Sequence, residues 1–263
     1  MTATDTAGTA ADPVRIEVEG RIATLRLARP HKRNSLNDAT IAILDRFFSA
    51  PPAGVRVAIL AADGDHFSAG LDLAEHVSRS AAETMAHSRN WHRVMELVQF
   101  GGLPVVSALK GAVMGGGLEL AAATHVRIAE EGTIFQLPEG RRGIFVGGGA
   151  SVRVGRIIGA DRMTEMMLTG RRYDAREGLA LGLAHYSVGA GEAEAMAVEL
   201  AGRIADNARL VNNVIIQAIS RIGDMSRADG LYTESLCAAL TQTSDDAAEG
   251  LSAFLEKRQP RFG

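Results

Sequence analysis

Cysteine is nearly absent: Cys237 is the single one in 263 residues, so no disulfide can close within the chain and a zinc site built on cysteines is excluded. Lysine is scarce as well, with only Lys32, Lys110 and Lys257, and the net charge is −3. Phosphate backbones demand a basic excess, so nucleic acid is not an expected partner. No apolar run approaches the roughly 20 residues that span a bilayer, and no basic segment leads into an apolar core at the N-terminus. These absences point away from a membrane partner and toward the cytoplasm. What is present is ordinary for a globular protein, 46% hydrophobic and 22% charged, with length enough for one substantial core.

Residues 1–12 are small and polar and predict a flexible tail. Apolar–polar alternation over 14–18 and 22–27, broken at Glu19-Gly20, predicts a hairpin. Asn37 or Asp38 is placed to cap a helix whose Ile41, Leu44, Phe47 and Phe48 share a face. Strands are expected over 55–60, 104–109, 125–129 and 184–188. A helix is expected over 80–100, with Met85, Trp91, Val94, Met95 and Val98 as its apolar stripe. From about residue 150 the pattern is mostly helical. Strand–helix alternation followed by a helical tail defines an α/β class, with no Pro-, Ser- or Gly-rich linker between the halves.

Two glutamates stand out against this background. Glu119 sits inside Gly115-Gly116-Gly117-Leu118-Glu119-Leu120-Ala121, and Glu139 inside Leu137-Pro138-Glu139-Gly140. A carboxylate in an apolar segment either finds partners or has its pKa pushed upward. Three glycines at a helix start weaken the helix, and a physical reason for them is that bare amides must point at a ligand oxygen. Tight packing alone would account for the glycines but not for Glu119. The segment His66-Phe67-Ser68-Ala69-Gly70-Leu71-Asp72-Leu73 follows a strand and ends in small residues, so its backbone can approach a ligand, although a turn with Asp72 as a cap explains it equally well.

Other chemistries lack support. Gly147-Gly148-Gly149 suggests a phosphate loop, but neither glycine triplet matches G-x-G-x-x-G or the P-loop with its lysine. There is no G-x-S-x-G elbow. The seven histidines form no H-E-x-x-H pair and read as structural or surface residues. Trp91 and the cluster Met163, Met166, Met167 read as core.

Taken together and in order, these segments resemble the crotonase (enoyl-CoA hydratase/isomerase) superfamily. Phe67-Ser68-Ala69-Gly70-Leu71-Asp72-Leu73 is similar to its first oxyanion and adenine-binding turn. The Gly115–Ala121 segment is similar to its signature helix start, and Pro138-Glu139 to its second catalytic glutamate. Residues 29–36 and 254–258 resemble its terminal segments. The resemblance implies a spiral of β-β-α turns over 13–200, a helical trimerisation region over 201–263, and a homotrimer or hexamer. It implies an oxyanion hole at the Leu71 and Gly116 amides, Glu119 and Glu139 as catalytic acids and bases, and Gly147 N–H as a further contact to water. Coenzyme A, as part of the substrate and not a separate cofactor, would meet Ala69, Asp72 and Leu73 around its adenine. Its phosphates would lie near Lys32, Arg33 and, from a neighbouring chain, Lys257.

Isomerase members typically keep only the second acid, so the presence of both implies a 2-enoyl-CoA hydratase. The same site run otherwise would give an isomerase, a dehydratase or an acyl-CoA hydrolase. A non-catalytic acyl-CoA-binding oligomer and a nicotinamide oxidoreductase are further alternatives. His125 stands where many members carry an aspartate, and Val146 where a proline is frequent. Loop 137–149 resembles the branch that hydrates methylthioacryloyl-CoA, which would place Phe145 and Val146 on the acyl pocket. No metal site is expected.

Overall fold

The computed structural model describes residues 12–75 and 77–263, so nearly all of the expected tail lies outside the described residues. The hairpin forms as β1 (Val14–Glu19) and β2 (Ile22–Leu27), antiparallel and in register from Val14–Leu27 to Glu19–Ile22. Helix α1 (Asp38–Ser49) follows, with the Asn37 side chain accepting from Thr40 N–H as the N-cap, and it buries Ile41, Leu44, Phe47 and Phe48. Strand β3 (Val57–Ala62) leads through the Phe67–Leu73 turn to α2 (Ala81–Phe100), which opens with a capping box between Ser80 and Glu83. Next come β4 (Val105–Leu109), β5 (Ala112–Met114) and α3 (Gly116–Ala122). They are followed by β6 (Val126–Glu130), β7 (Ile134–Gln136), a 3₁₀ turn at Glu139–Arg142, and α4 (Ala150–Ile158).

The remainder comprises α5 (Ala160–Thr169), β8 (Tyr173–Asp174), α6 (Ala175–Leu181), β9 (Tyr186–Val188), α7 (Ala193–Ala205), α8 (Arg209–Ile222), α9 (Arg227–Gln242) and α10 (Asp245–Leu255). One sheet runs β1-β2-β3-β4-β6-β9, parallel from β2 onward, and a small one runs β5-β7-β8. Two successive turns, β4-β5-α3 and β6-β7-α4, each contribute a strand to the large sheet, a short strand to the small sheet and then a helix. Isolated parallel bridges Leu36–Leu71 and Ser68–Val113 extend the small sheet to the Phe67–Leu73 turn. That extension is what brings Leu71 beside the start of α3.

β3 is buried at every position because both sheet faces are covered. One face meets Leu25, Leu44, Trp91, Met95 and Leu118, among others. The other face, through Val57, Ile59, Val106 and Ile128, meets Ala193, Ala197, Leu200, Ala201 and Ala205 of α7. The division at 200/201 therefore falls inside α7, whose residues on both sides bury against the same sheet. Met85 is 61% exposed and not part of the α2 stripe, because only the C-terminal half of that helix is covered. Met163 and Met166 are buried, with Met167 packed against them.

Candidate active site

Two backbone amides define one side of the site. In the turn before α2, the N–H groups of Ser68, Ala69, Gly70 and Asp72 donate to Ala112 O, Arg33 O, Ser68 Oγ and Leu36 O. The Leu71 N–H has no partner among the described residues. At the start of α3, Gly115 N–H donates to Gln136 O and Glu119 N–H to Gly115 O, while Gly116 N–H is likewise free. The two free amides lie close together: a Cβ on Gly116 would be 3.5 Å from Leu71 N. The approach requires glycine at position 70, where φ is +95° and a Cβ would sit 2.8 Å from Met114 O. Gly116 N–H also sits at the helix N-terminus, where the dipole favours negative charge.

Both glutamates are buried, and each is received by the other's glycines. Glu119 Oε1 accepts Gly148 N–H at 2.8 Å and Ala150 N–H at 3.1 Å, and a Cβ on Gly148 would lie 2.6 Å from its Oε2. Glu139 packs on Gly115, where a Cβ would lie 2.7 Å from Oε1. The triplet at 147–149 turns amides toward an acceptor at a helix start, and that acceptor is the protein's own Glu119, at the N-terminus of α4.

The two carboxylates differ in how they are furnished. Burial pushes Glu119 above the usual carboxylate range, opposed by the Ala150 and Gly148 amides and the charges of His92 and Arg153. Burial pushes Glu139 up to about 7, relieved only by its own amide and Arg142 and reinforced by the Glu119 charge. Glu139 Oε2 is buried with no partner among the described residues. Glu119 is thus the carboxylate supplied with two backbone amides, and Glu139 is the one with an unpartnered buried oxygen.

A cavity of about 150 Å³ connects these groups. Leu71, Gly116, Glu119, Glu139, Phe145, Val146 and Gly147 all line it, so the structure brings together the expected acids, amides and acyl-side residues. The Gly147 N–H has no partner among the described residues. The opposite wall comes from α2 through Thr84, His87, Ser88 and Trp91, with Arg79 ahead of them. Trp91, expected as core, is buried and is also a wall: its Cζ3 would lie 3.2 Å from a Cβ on Gly116. The available signal was a hydrogen-bonding stripe at 84, 87, 88 and 91, spaced i, i+3, i+4, i+7 on one helix.

The expected coenzyme A residues lie off this cavity. Ala69 is half-buried, and Leu73, Lys32 and Arg33 are exposed around the same turn. Lys257, past α10 with φ +55°, does not line the cavity of its own chain. Asp72 is 5% exposed, pairs with Arg29 at 2.8 Å and accepts Ala74 N–H, so its carboxylate braces the turn from within. Burial pushes its pKa up, but the Arg29 hydrogen bond, the Ala74 amide and the Arg29 and Lys32 charges outweigh that and hold it below the usual range. His125 is structural too, with Val105 N–H donating to Nδ1 and Nε2 at 2.8 Å from Gln99 O. Among the described residues no group of three or more His, Cys, Asp and Glu side chains is placed to hold a metal ion.

A spiral of β-β-α turns that sets two free amides opposite two buried carboxylates is the arrangement of a crotonase-fold enzyme. The family model for enoyl-CoA hydratase/isomerase matches residues 17–263, and the chain belongs to that family. A mitochondrial Arabidopsis thaliana protein called probable enoyl-CoA hydratase 2 is 32% identical over 244 residues, 92% of this chain and 81% of its own. A crystal structure from Rhodopseudomonas palustris superposes with TM-score 0.91 at 47% identity, over 95% of this chain and 98% of that one. An enoyl-CoA hydratase from Bacillus anthracis gives TM-score 0.89 at 31% identity, with the same coverage.

Proposed function

We propose that the protein is an enoyl-CoA hydratase, a hydro-lyase that adds water across the 2,3-double bond of a 2-enoyl-CoA thioester. The observation that carries this reading is the unequal furnishing of two buried carboxylates beside two free amides. The thioester oxygen lies between the Leu71 and Gly116 N–H groups, which stabilise the enolate that forms, each by about 3 kcal/mol. Glu119 holds the water, with Gly147 N–H as a further contact, and takes its proton as the oxygen bonds to Cβ. Glu139 delivers its proton to Cα. A proton passing back from Glu119 to Glu139 through solvent restores the starting state. The scheme uses no separate cofactor, since coenzyme A arrives with the substrate.

Around the turn at 69–73, we read the backbones of Ala69 and Leu73 as the adenine contact and Lys32 and Arg33 as the nearby phosphate charges. Lys257 would join them from a neighbouring copy. Exposed Ile219, Leu236, Leu240, Phe254 and Leu255 on α8–α10 favour a trimer or hexamer, which light scattering would test. No helix among the described residues is long and apolar enough to cross a membrane, and the cytoplasm is our assignment.

Wild-type enzyme with crotonyl-CoA is expected to lose the enoyl absorbance without releasing thiol. Thiol release would mark a hydrolase, a shifted double bond an isomerase, and binding without turnover a non-catalytic oligomer. A matched panel including methylthioacryloyl-CoA tests the finer reading that this acyl group is preferred; equal rates across the panel overturn it. Because Glu139 must carry its proton, hydration is expected to decline as pH rises through about 7. A rate that stays flat to about pH 9 would remove Glu139 as the acid.

A further inference from the structure

The loop that supports Glu119 is three glycines long and has little preference of its own, so something outside must fix it. Every carbonyl of the triplet is captured. Ser88 Oγ–H, from α2, donates to Gly147 O at 2.7 Å. Arg153 Nη1–H donates to Gly148 O at 3.3 Å, and the same guanidinium is anchored to α2 through Gln99 Oε1 and Glu96 Oε1, both at 2.6 Å. Gly149 O accepts the N–H groups of Val152 and Arg153 at the start of α4. With all three carbonyls turned away, the amides of 148 and 150 point inward at Glu119 Oε1, and the Gly147 amide is left free. This is an anion-binding nest held from behind.

Ser88 acts on the most direct link. Gly147 O and Gly148 N belong to one peptide unit, so the chain Ser88 O–H, Gly147 C=O, Gly148 N–H, Glu119 carboxylate is continuous, and each bond polarises the next. Arg153 is 7% exposed, and its Nη1 fills the space where a side chain at 149 would project, 2.2 Å from a Cβ there. Gly149 has φ +108°, so the guanidinium and the glycine require one another.

We propose that Ser88 and Arg153 are positioning residues that hold the 147–150 loop with its amides turned toward Glu119 and the cavity. The proposal rests on Glu119 serving as the base of hydration. The charged or titratable groups facing Glu119 are His92 from α2, Arg153 from α4 and Glu139 from the 3₁₀ turn. Ser88 Oγ also lies 3.5 Å from His92 Nε2.

The test compares wild type with Ser88→Ala, Ser88→Thr and Arg153→Gln in the whole protein. It measures kcat and KM for crotonyl-CoA, the acidic limb of the pH profile, and an infrared titration of Glu119 without substrate, isolated by difference against Glu119→Gln. Ser88→Ala is expected to lower kcat by about 10–100-fold with KM within about twofold. Loss of amide support favours the protonated acid, so the acidic limb and the infrared titration should both move upward by about half a pH unit or more. Ser88→Thr, which keeps the hydroxyl, should restore both, and Arg153→Gln should move them further because a charge goes too. A fall in kcat with an unmoved limb and an unmoved infrared titration would overturn the proposal, as would an unaffected Ser88→Ala enzyme. Should wild type hydrate no enoyl-CoA, the hydratase reading fails by itself, and the infrared titration alone then decides whether Ser88 and Arg153 act on Glu119.

Discussion

Hydration of crotonyl-CoA by Glu139→Gln is expected to fall about 10²–10⁴-fold below wild type, the range for removal of a positioned proton donor. Glu119→Gln should fall comparably: its amide oxygen still accepts from Gly148 and Ala150, so the fold survives while the base is gone. The double variant should be little worse than either single one, because the acids act on one addition. Coenzyme A affinity should hold, since neither carboxylate lies at the 69–73 turn. A second measurement separates lost chemistry from lost structure. A carboxyl held at about 7 in the folded protein, against an ordinary 4.5, binds its proton more tightly when folded. Its contribution to stability is fully present at low pH and is lost as pH rises from about 4.5 to about 7, by about 3 kcal/mol at most. Glutamine has no such titration, so Glu139→Gln should melt higher than wild type at about pH 8 and lose that advantage near pH 4. Near-normal turnover by either variant would overturn the two-carboxylate mechanism.

The second large effect is expected from a single added methyl group. In Gly116→Ala the Cβ would stand 3.5 Å from Leu71 N and 3.2 Å from Trp91 Cζ3, beside the two amides proposed to receive the thioester oxygen. Alanine is the better helix former at an α3 position and no positive φ opposes it, so the variant should fold. Loss of the oxyanion position is expected to lower kcat/KM about 10²–10³-fold. Steady-state kinetics beside thermal melts check this, and an unaffected Gly116→Ala enzyme would mean that the oxygen lies elsewhere.

The acids were legible in the sequence because they are locally costly. Glu119 interrupts an apolar helix, and three glycines in a row at its start weaken that helix. The hairpin, α1 and the long helices were legible from alternation, caps and periodicity. β5, β7 and β8 were not, at three, three and two residues, because strands that short carry no measurable period. Long-range partnership was equally hidden. Nothing near Asp72 in sequence reveals that Arg29, 43 residues earlier, occupies its carboxylate. Nothing near Gly148 reveals that its amide serves Glu119, 29 residues away. The α2 wall was not legible for a related reason: a half-buried helix face looks the same whether it meets a core or a cavity.

The crossed packing of Glu119 on Gly148 and Glu139 on Gly115 has a consequence for how such enzymes can be altered. The 115–119 and 139–150 segments do not behave as separate modules. A graft of a foreign 137–150 loop, made to change the acyl group accepted, replaces one acid together with the cradle of the other. To remain active it must bring glycine at 148 and a free amide at 150, and its own glutamate must still find glycine at 115 in the recipient. Acyl preference is therefore expected to be best retuned from Phe145, Val146 or Thr84, which line the same space without sharing in that exchange.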